Sequence, residues 1–255
     1  MRNNMRQLEK NLRMLLIGTA RTGKSWLKDW IIFKYMKENK RRFFVVIDDN
    51  INNCLELKKK GFHIEEINSE KIIHDYDYRQ FILDKEKVVF IITDLNNEEI
   101  QDFLQDITAT VWTLGDTLFV IDECWQYVNR YTNPQGLLRV IRGGAKIGVD
   151  VMLVTHRLVD LPTEITNLMN IFITFRLVEK NSIERLSQYF DQFTLKDNKK
   201  LIDPELKNAQ KKKCEKIIRS KDLKQILRGL ENRYFLYSDT REGIQEITTS
   251  NNLTI

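Results

Sequence analysis

Six short runs of near-continuous apolar residues space out the first 175 positions: 14–17 (MLLI), 43–47 (FFVVI), 88–93 (VVFIIT), 118–121 (LFVI), 149–155 (VDVMLVT) and 171–175 (IFITF). Runs of this length that do not alternate with polar residues predict strands covered on both faces, as in a parallel sheet. Between them, residues 24–37 carry Trp26, Leu27, Trp30, Ile31 and Phe33 at helical spacing, and 100–112 and 136–142 read similarly. Strands alternating with helices predict an α/β fold with a mostly parallel sheet flanked by helices. Beyond residue 175 the texture changes: 180–230 is polar, Lys-rich and predicted helical, and 233–238 (RYFLYS) reads as one more strand. The expected organisation is a core over 1–179, a basic helical region over 180–230, and a C-terminal strand and tail over 231–255 that pack on the core. No internal repeat is visible.

Composition adds limits. A chain of 255 residues with 42% hydrophobic content can bury one sizeable core. No apolar run approaches the roughly 20 residues that span a bilayer, and Gly18 ends the first run too early for a signal peptide. A soluble, cytoplasmic protein is expected. Cys54, Cys124 and Cys214 are odd in number and widely spaced, which predicts neither disulfides nor a zinc site. The net charge of +5, from 41 basic and 36 acidic residues, says little about partners by itself.

The chemistry begins at GTARTGKSW, residues 18–26. Gly18, Thr19, Ala20, Arg21, Thr22, Gly23, Lys24 and Ser25 satisfy GxxxxGK[ST], after a predicted strand and leading into the helix predicted over 24–37, and these residues with Trp26 are expected at the nucleotide. Gly18 and Gly23 permit a tight loop whose backbone N–H groups can surround a β-phosphate, helped by the partial positive charge of the helix start. Lys24 can reach the β- and γ-phosphates and the Ser25 hydroxyl can ligate Mg²⁺. ATP with Mg²⁺ is the expected ligand. In TLFVIDECW, residues 117–125, an apolar strand ends in Asp122 and Glu123. Asp122 is expected in the Mg²⁺ shell, and Glu123 is expected to orient or deprotonate an attacking water. Asp94, at the end of VVFIITD, is a competing strand-end acid that lacks the second carboxylate. GVDVMLVTHR, residues 148–157, ends in His156, a candidate sensor of the γ-phosphate.

Residues 137–177 (LLRVIRGGAKIGVDVMLVTHRLVDLPTEITNLMNIFITFRL) resemble the stretch in HerA/FtsK-type motor ATPases where a basic segment and Gly precede the sensor strand. A polar-Arg pair, a DLP turn and a strand ending in Phe-Arg follow. Viral genome-packaging ATPases belong to the same superfamily, and the short chain is closest in character to them. The resemblance spans about residues 12–177. It departs at His156, where the family usually has Gln. It implies a RecA-like P-loop fold of the type that inserts a strand beside the P-loop strand, and a ring, expected to be a hexamer, that drives double-stranded DNA with ATP. Host cytoplasm or virion is the implied location, with capsid portal or vertex proteins as further partners. Such rings need an arginine near the γ-phosphate, often from the neighbouring subunit. Arg142 in RGG and Arg176 in FRL are the nominees by motif, with Arg139 third.

Residues 204–224 carry Lys207, Lys211, Lys212, Lys213, Lys216, Arg219, Lys221 and Lys224, and Arg2, Arg6, Lys10 and Arg13 form a weaker cluster. These are either DNA contacts or a solvated helix face. Other readings remain open at this level: a HerA-like or conjugative DNA pump or helicase, a non-motor ATP switch, and a small-molecule P-loop kinase.

Overall fold

A computed structural model of the chain describes residues 12–73, 76–129, 135–190, 208–212, 223–241 and 244–249. Its strands are β1 (Arg13–Ile17), β2 (Phe43–Asp48), β3 (His63–Ile67), β4 (Lys87–Ile92), β5 (Thr117–Ile121), β6 (Asp150–Thr155), β7 (Ile171–Thr174), β8 (Tyr234–Asp239) and β9 (Ile244–Thr249). They form one sheet in the order β3-β4-β2-β5-β6-β1-β7-β8-β9. Strands β1 to β7 are parallel; β8 and β9 extend the sheet antiparallel.

The helices are α1 (Lys24–Lys37), α2 (Leu55–Lys59), α3 (Ser69–Ile73), α4 (Tyr78–Lys85), α5 (Asn97–Leu114), α6 (Gln135–Gly143), α7 (Thr163–Leu168), α8 (Lys180–Phe190) and α9 (Leu223–Gly229). They divide between two faces because strand residues alternate. Met14 and Leu16 join the core beneath Leu27, Ile31, Ile32 and Tyr35 of α1. Leu15 and Ile17 join the opposite core with Phe103, Ile107 and Val111 of α5 and Leu137, Leu138 and Ile141 of α6. The central parallel strands β1, β2, β5 and β6 are therefore apolar on both faces, as their sequences require. Helix α5 starts at a capping box, with the Asn96 side chain accepting from the N–H of Glu99 while Glu99 accepts from that of Asn96, and stops at Gly115, whose φ is 63°.

The expected α/β fold is observed, with strand ends shifted by a residue or so: Val149 and Arg233 precede their strands. Strands β3 and β9 and the short helices α2, α3, α4 and α7 add to the predicted set. The order β5-β6-β1 brings the tips of these three strands side by side at one edge of the sheet, and that edge carries the site.

Candidate functional site

The loop after β1 can close only because of its glycines. A Cβ on Gly18 would stand 2.6 Å from Cβ of Phe175 and 3.0 Å from Oγ1 of Thr22, and Gly23 sits at φ 110°. The loop is tied to its neighbours by backbone bonds. The N–H of Gly18 donates to the Thr155 carbonyl (3.3 Å) and that of Thr19 to the Arg176 carbonyl (3.0 Å). Within the loop, the Thr22 hydroxyl donates to the Thr19 carbonyl at 2.8 Å.

Helix α1 then begins with no side-chain cap and no acidic residue in its first turn. Its free N–H groups and partial positive charge face the loop, an arrangement suited to an anion. Nζ of Lys24 lies 3.1 Å from the Thr19 carbonyl. Burial lowers the Lys24 pKa, partly offset by the negative charges of Glu123 and Asp122. Ser25 and Trp26 are exposed at the same helix end.

The acids stand across the edge. The Asp122 N–H donates to the Ile47 carbonyl (2.9 Å) and the Cys124 N–H to the Val154 carbonyl (2.9 Å), so the turn after β5 is fixed from both sides. Oδ1 of Asp122 accepts from the Glu123 N–H at 2.9 Å. Oδ2 of Asp122 meets Nζ of Lys28 at 2.6 Å, and Lys28 also bonds Oδ2 of Asp48 at 2.9 Å. Lys28 is fully buried on α1, one turn beyond Lys24. Burial pulls its pKa down, but Asp122 and Asp48 outweigh that and raise it, so the ammonium is retained.

Glu123 adopts φ 41°, in the left-handed region. Its Oε2 meets Nδ1 of His156 at 2.7 Å and accepts from Nε1 of Trp125 at 3.1 Å. The Trp125 and His156 rings meet edge to face, and the Arg157 guanidinium lies 4.7 Å from the Trp125 ring centre. His156, expected to face a phosphate, is thus also paired with the glutamate.

The remaining candidates separate. Asp94 is exposed at the end of β4, with β2, β5 and β6 between it and β1. Arg176 is half-buried and its carbonyl supports the P-loop. Arg142, in the last turn of α6, is exposed and paired with Glu164 of α7. Because α6 leads back to the start of β6, Arg142 lies at the opposite edge of the sheet from its own P-loop. Arg139 rests on the Trp112 ring. In the basic segments, Lys211, Lys212, Lys224 and Arg13 are described; Lys207, Lys213, Lys216, Arg219, Lys221, Arg2, Arg6 and Lys10 lie outside the described residues.

Lys28, Asp48 and Trp125 also belong to this cluster, and no motif in the sequence marks them. Lys28 carries a trace in the sequence, since it stands four residues from Lys24 on a helix face otherwise given to Leu27, Ile31 and Ile32. Among the described residues no group of three or more His, Cys, Asp or Glu side chains could hold a metal alone. A hydroxyl at Ser25 and an oriented carboxylate at Asp122 do suit Mg²⁺, a hard ion that commonly arrives with nucleotide phosphates and keeps several waters.

No family model and no curated protein sequence matches the chain. Among solved structures, the genome packaging NTPase B204 of Sulfolobus turreted icosahedral virus 2, in complex with AMP, superposes with a TM-score of 0.64 at 18% identity, covering 95% of this chain and 98% of that one. B204 of Sulfolobus turreted icosahedral virus, a DNA-packaging ATPase, superposes at 0.61 with 19% identity, covering 94% and 98%. VirB4 of Thermoanaerobacter pseudethanolicus gives 0.59 at 10% identity, covering 98% and 92%. Sheet order, P-loop and these end-to-end superpositions agree that the chain has the RecA-like P-loop ATPase fold.

Proposed function

We propose that this chain is an ATPase that drives double-stranded DNA, packaging a viral genome into a preformed capsid. The ATPase reading is carried by one juxtaposition: an uncapped P-loop helix bearing Lys24, with Glu123 and His156 on the neighbouring strand tips. The packaging reading is supported by the overlap with the B204 proteins, which covers 95% and 94% of this chain.

In the proposed reaction the Lys24 ammonium neutralises the β- and γ-phosphate oxygens. Ser25 and Asp122 would hold Mg²⁺, which when bound supplies charge to the same oxygens. Both observed contacts to Glu123 fall on Oε2, which leaves Oε1 to accept a proton from water. That water attacks the γ-phosphorus, the bond to the β,γ-bridging oxygen breaks, and ADP and phosphate leave. The His156 ring positions Glu123 through Nδ1, and when doubly protonated it can also donate from its second nitrogen to the phosphate. Arg142, far from its own P-loop, is suited to serve a neighbouring subunit; Arg176, beside the loop, is the other nominee. The assembly proposed is a hexameric ring.

The test is the ATPase rate with and without double-stranded DNA, with a mass measurement of the particle in nucleotide. Stimulation by duplex in a hexamer supports the motor. Turnover that requires a small acceptor would instead indicate a kinase. Slow, DNA-independent turnover marks a switch, and strand separation a helicase.

A further inference from the structure

We propose that Arg233 is a second basic contact for the bound nucleotide, directed at the portion shared by ATP and ADP rather than at the γ-phosphate. The proposal rests on the nucleotide-binding reading above.

Arg233 reaches the P-loop through the sheet. Strand β8 runs antiparallel to β7, with Thr174 opposite Leu236, so the start of β8 lies level with the end of β7 and the P-loop. There the Arg233 N–H donates to the Thr22 carbonyl at 3.2 Å. A Cβ placed on Gly23 would be 4.0 Å from both Cα and Cγ of Arg233, so the stem of the side chain passes over the loop. Packing between Phe175 and Phe235, with ring centres 5.2 Å apart, holds the hairpin against the loop floor. The Arg233 side chain is exposed and joins no ion pair among the described residues.

The direction of the ligand follows from the strand order. Glu123 and His156 lie on the β5 and β6 side of β1, and Arg233 lies on the β7 and β8 side. A nucleotide whose γ-phosphate faces Glu123 turns its other end toward Arg233. The guanidinium offers planar donors to an α- or β-phosphate oxygen at that end.

Backbone conformation supplies a clean variant. Arg233 has φ 72°, which disfavours any residue with a Cβ and suits glycine. Arg233→Gly removes the guanidinium, keeps the N–H bond to Thr22 and relaxes the backbone. The full chain is titrated calorimetrically with Mg-ADP and with a slowly hydrolysed Mg-ATP analogue. The expected result is a loss of about tenfold in affinity for both, the size of one charge-assisted hydrogen bond, with apo Tm not lowered. A loss confined to the triphosphate, or unchanged affinity for both while Lys24→Ala abolishes binding, overturns the proposal. If Lys24→Ala also leaves binding intact, the nucleotide-site reading itself fails.

Discussion

Two lysines one turn apart on α1 sit in opposite electrostatic situations. Lys28 is fully buried and meets two carboxylates, Asp48 and Asp122, within 2.9 Å. Lys24 is nearly as buried but has only the Thr19 carbonyl at 3.1 Å, with no carboxylate in bonding range among the described residues. The consequence is a raised pKa for Lys28 and a lowered one for Lys24. A buried cation with its counter-charges in place is part of the structure. One held without them is suited to an anion, the role proposed for Lys24.

The largest effects should therefore fall on turnover at Lys24 and at whatever supplies a further positive charge to the phosphates. Lys24→Ala should abolish ATP turnover with little change in the denaturation midpoint. An arginine supplied by a neighbour can contribute roughly 10³ to 10⁵ in rate, so Arg142→Ala or Arg176→Ala should also silence hydrolysis while sparing nucleotide affinity. Mixing Arg142→Ala with Lys24→Ala should recover activity, because one subunit keeps its loop and the other its arginine; Arg176, beside its own loop, would give recovery only if it reaches the neighbour's site. Recovery should fall on dilution. No recovery under conditions where subunits exchange would place the arginine in cis or exclude the ring.

Lys28 should behave the other way. Lys28→Met leaves two buried carboxylates facing each other, which costs about 3–5 kcal/mol of stability, measurable by denaturant unfolding without nucleotide. If Lys28→Met is as stable as wild type, or Lys24→Ala as unstable as expected for Lys28→Met, the contrast between the two lysines is broken.

A smaller effect separates binding from chemistry. Glu123→Gln keeps the size of the side chain and loses basicity, so MgATP binding should persist while turnover drops about two orders of magnitude or more. Hydrolysis that survives Glu123→Gln yet disappears in Asp94→Asn would mean that the working acid is on β4, despite the three strands between it and β1.

The central strands and the P-loop are legible in the sequence for a physical reason. β1, β2, β5 and β6 are covered on both faces, so burial writes itself as continuous apolar runs. The edge strands are not. β3 (HIEEI) exposes most of its length, and β9 (IQEITT) mixes polar with apolar positions, so neither carries a distinct run. Lys24, Asp122 and Glu123 are legible as candidates because the P-loop pattern and a strand-end pair of acids have restricted spacings. Lys28, Asp48 and Trp125 belong to the site through tertiary contact, across 20 to 94 positions for the bonds of Lys28. Arg233 arrives from the far end of the chain through strand pairing, and local sequence gives no sign of it.

The smallest expected effect is a pH dependence at Asp29, and it tests whether Lys28 is already saturated. Asp29 follows Lys28 on α1, but its Oδ1 is 4.0 Å from Nζ and has no hydrogen-bond partner. Burial pushes its carboxyl up to about 7; the Lys28 ammonium opposes the shift, while Asp122 and Asp48, which hold that ammonium at shorter range, add to it. In the unfolded chain an aspartate titrates near 3.9. Between roughly pH 4 and 7 the folded protein therefore binds the extra proton, and linkage makes stability fall as pH rises through that window, flattening above it. Asp29→Asn removes the ionisation while keeping the shape. Its Tm should exceed that of wild type at pH 8, and the gap should close as pH falls toward 5, measured by thermal melting in one buffer series without nucleotide. Parallel curves would mean that Asp29 stays ionised in the fold, and hence that Lys28 still has charge to share beyond Asp48 and Asp122.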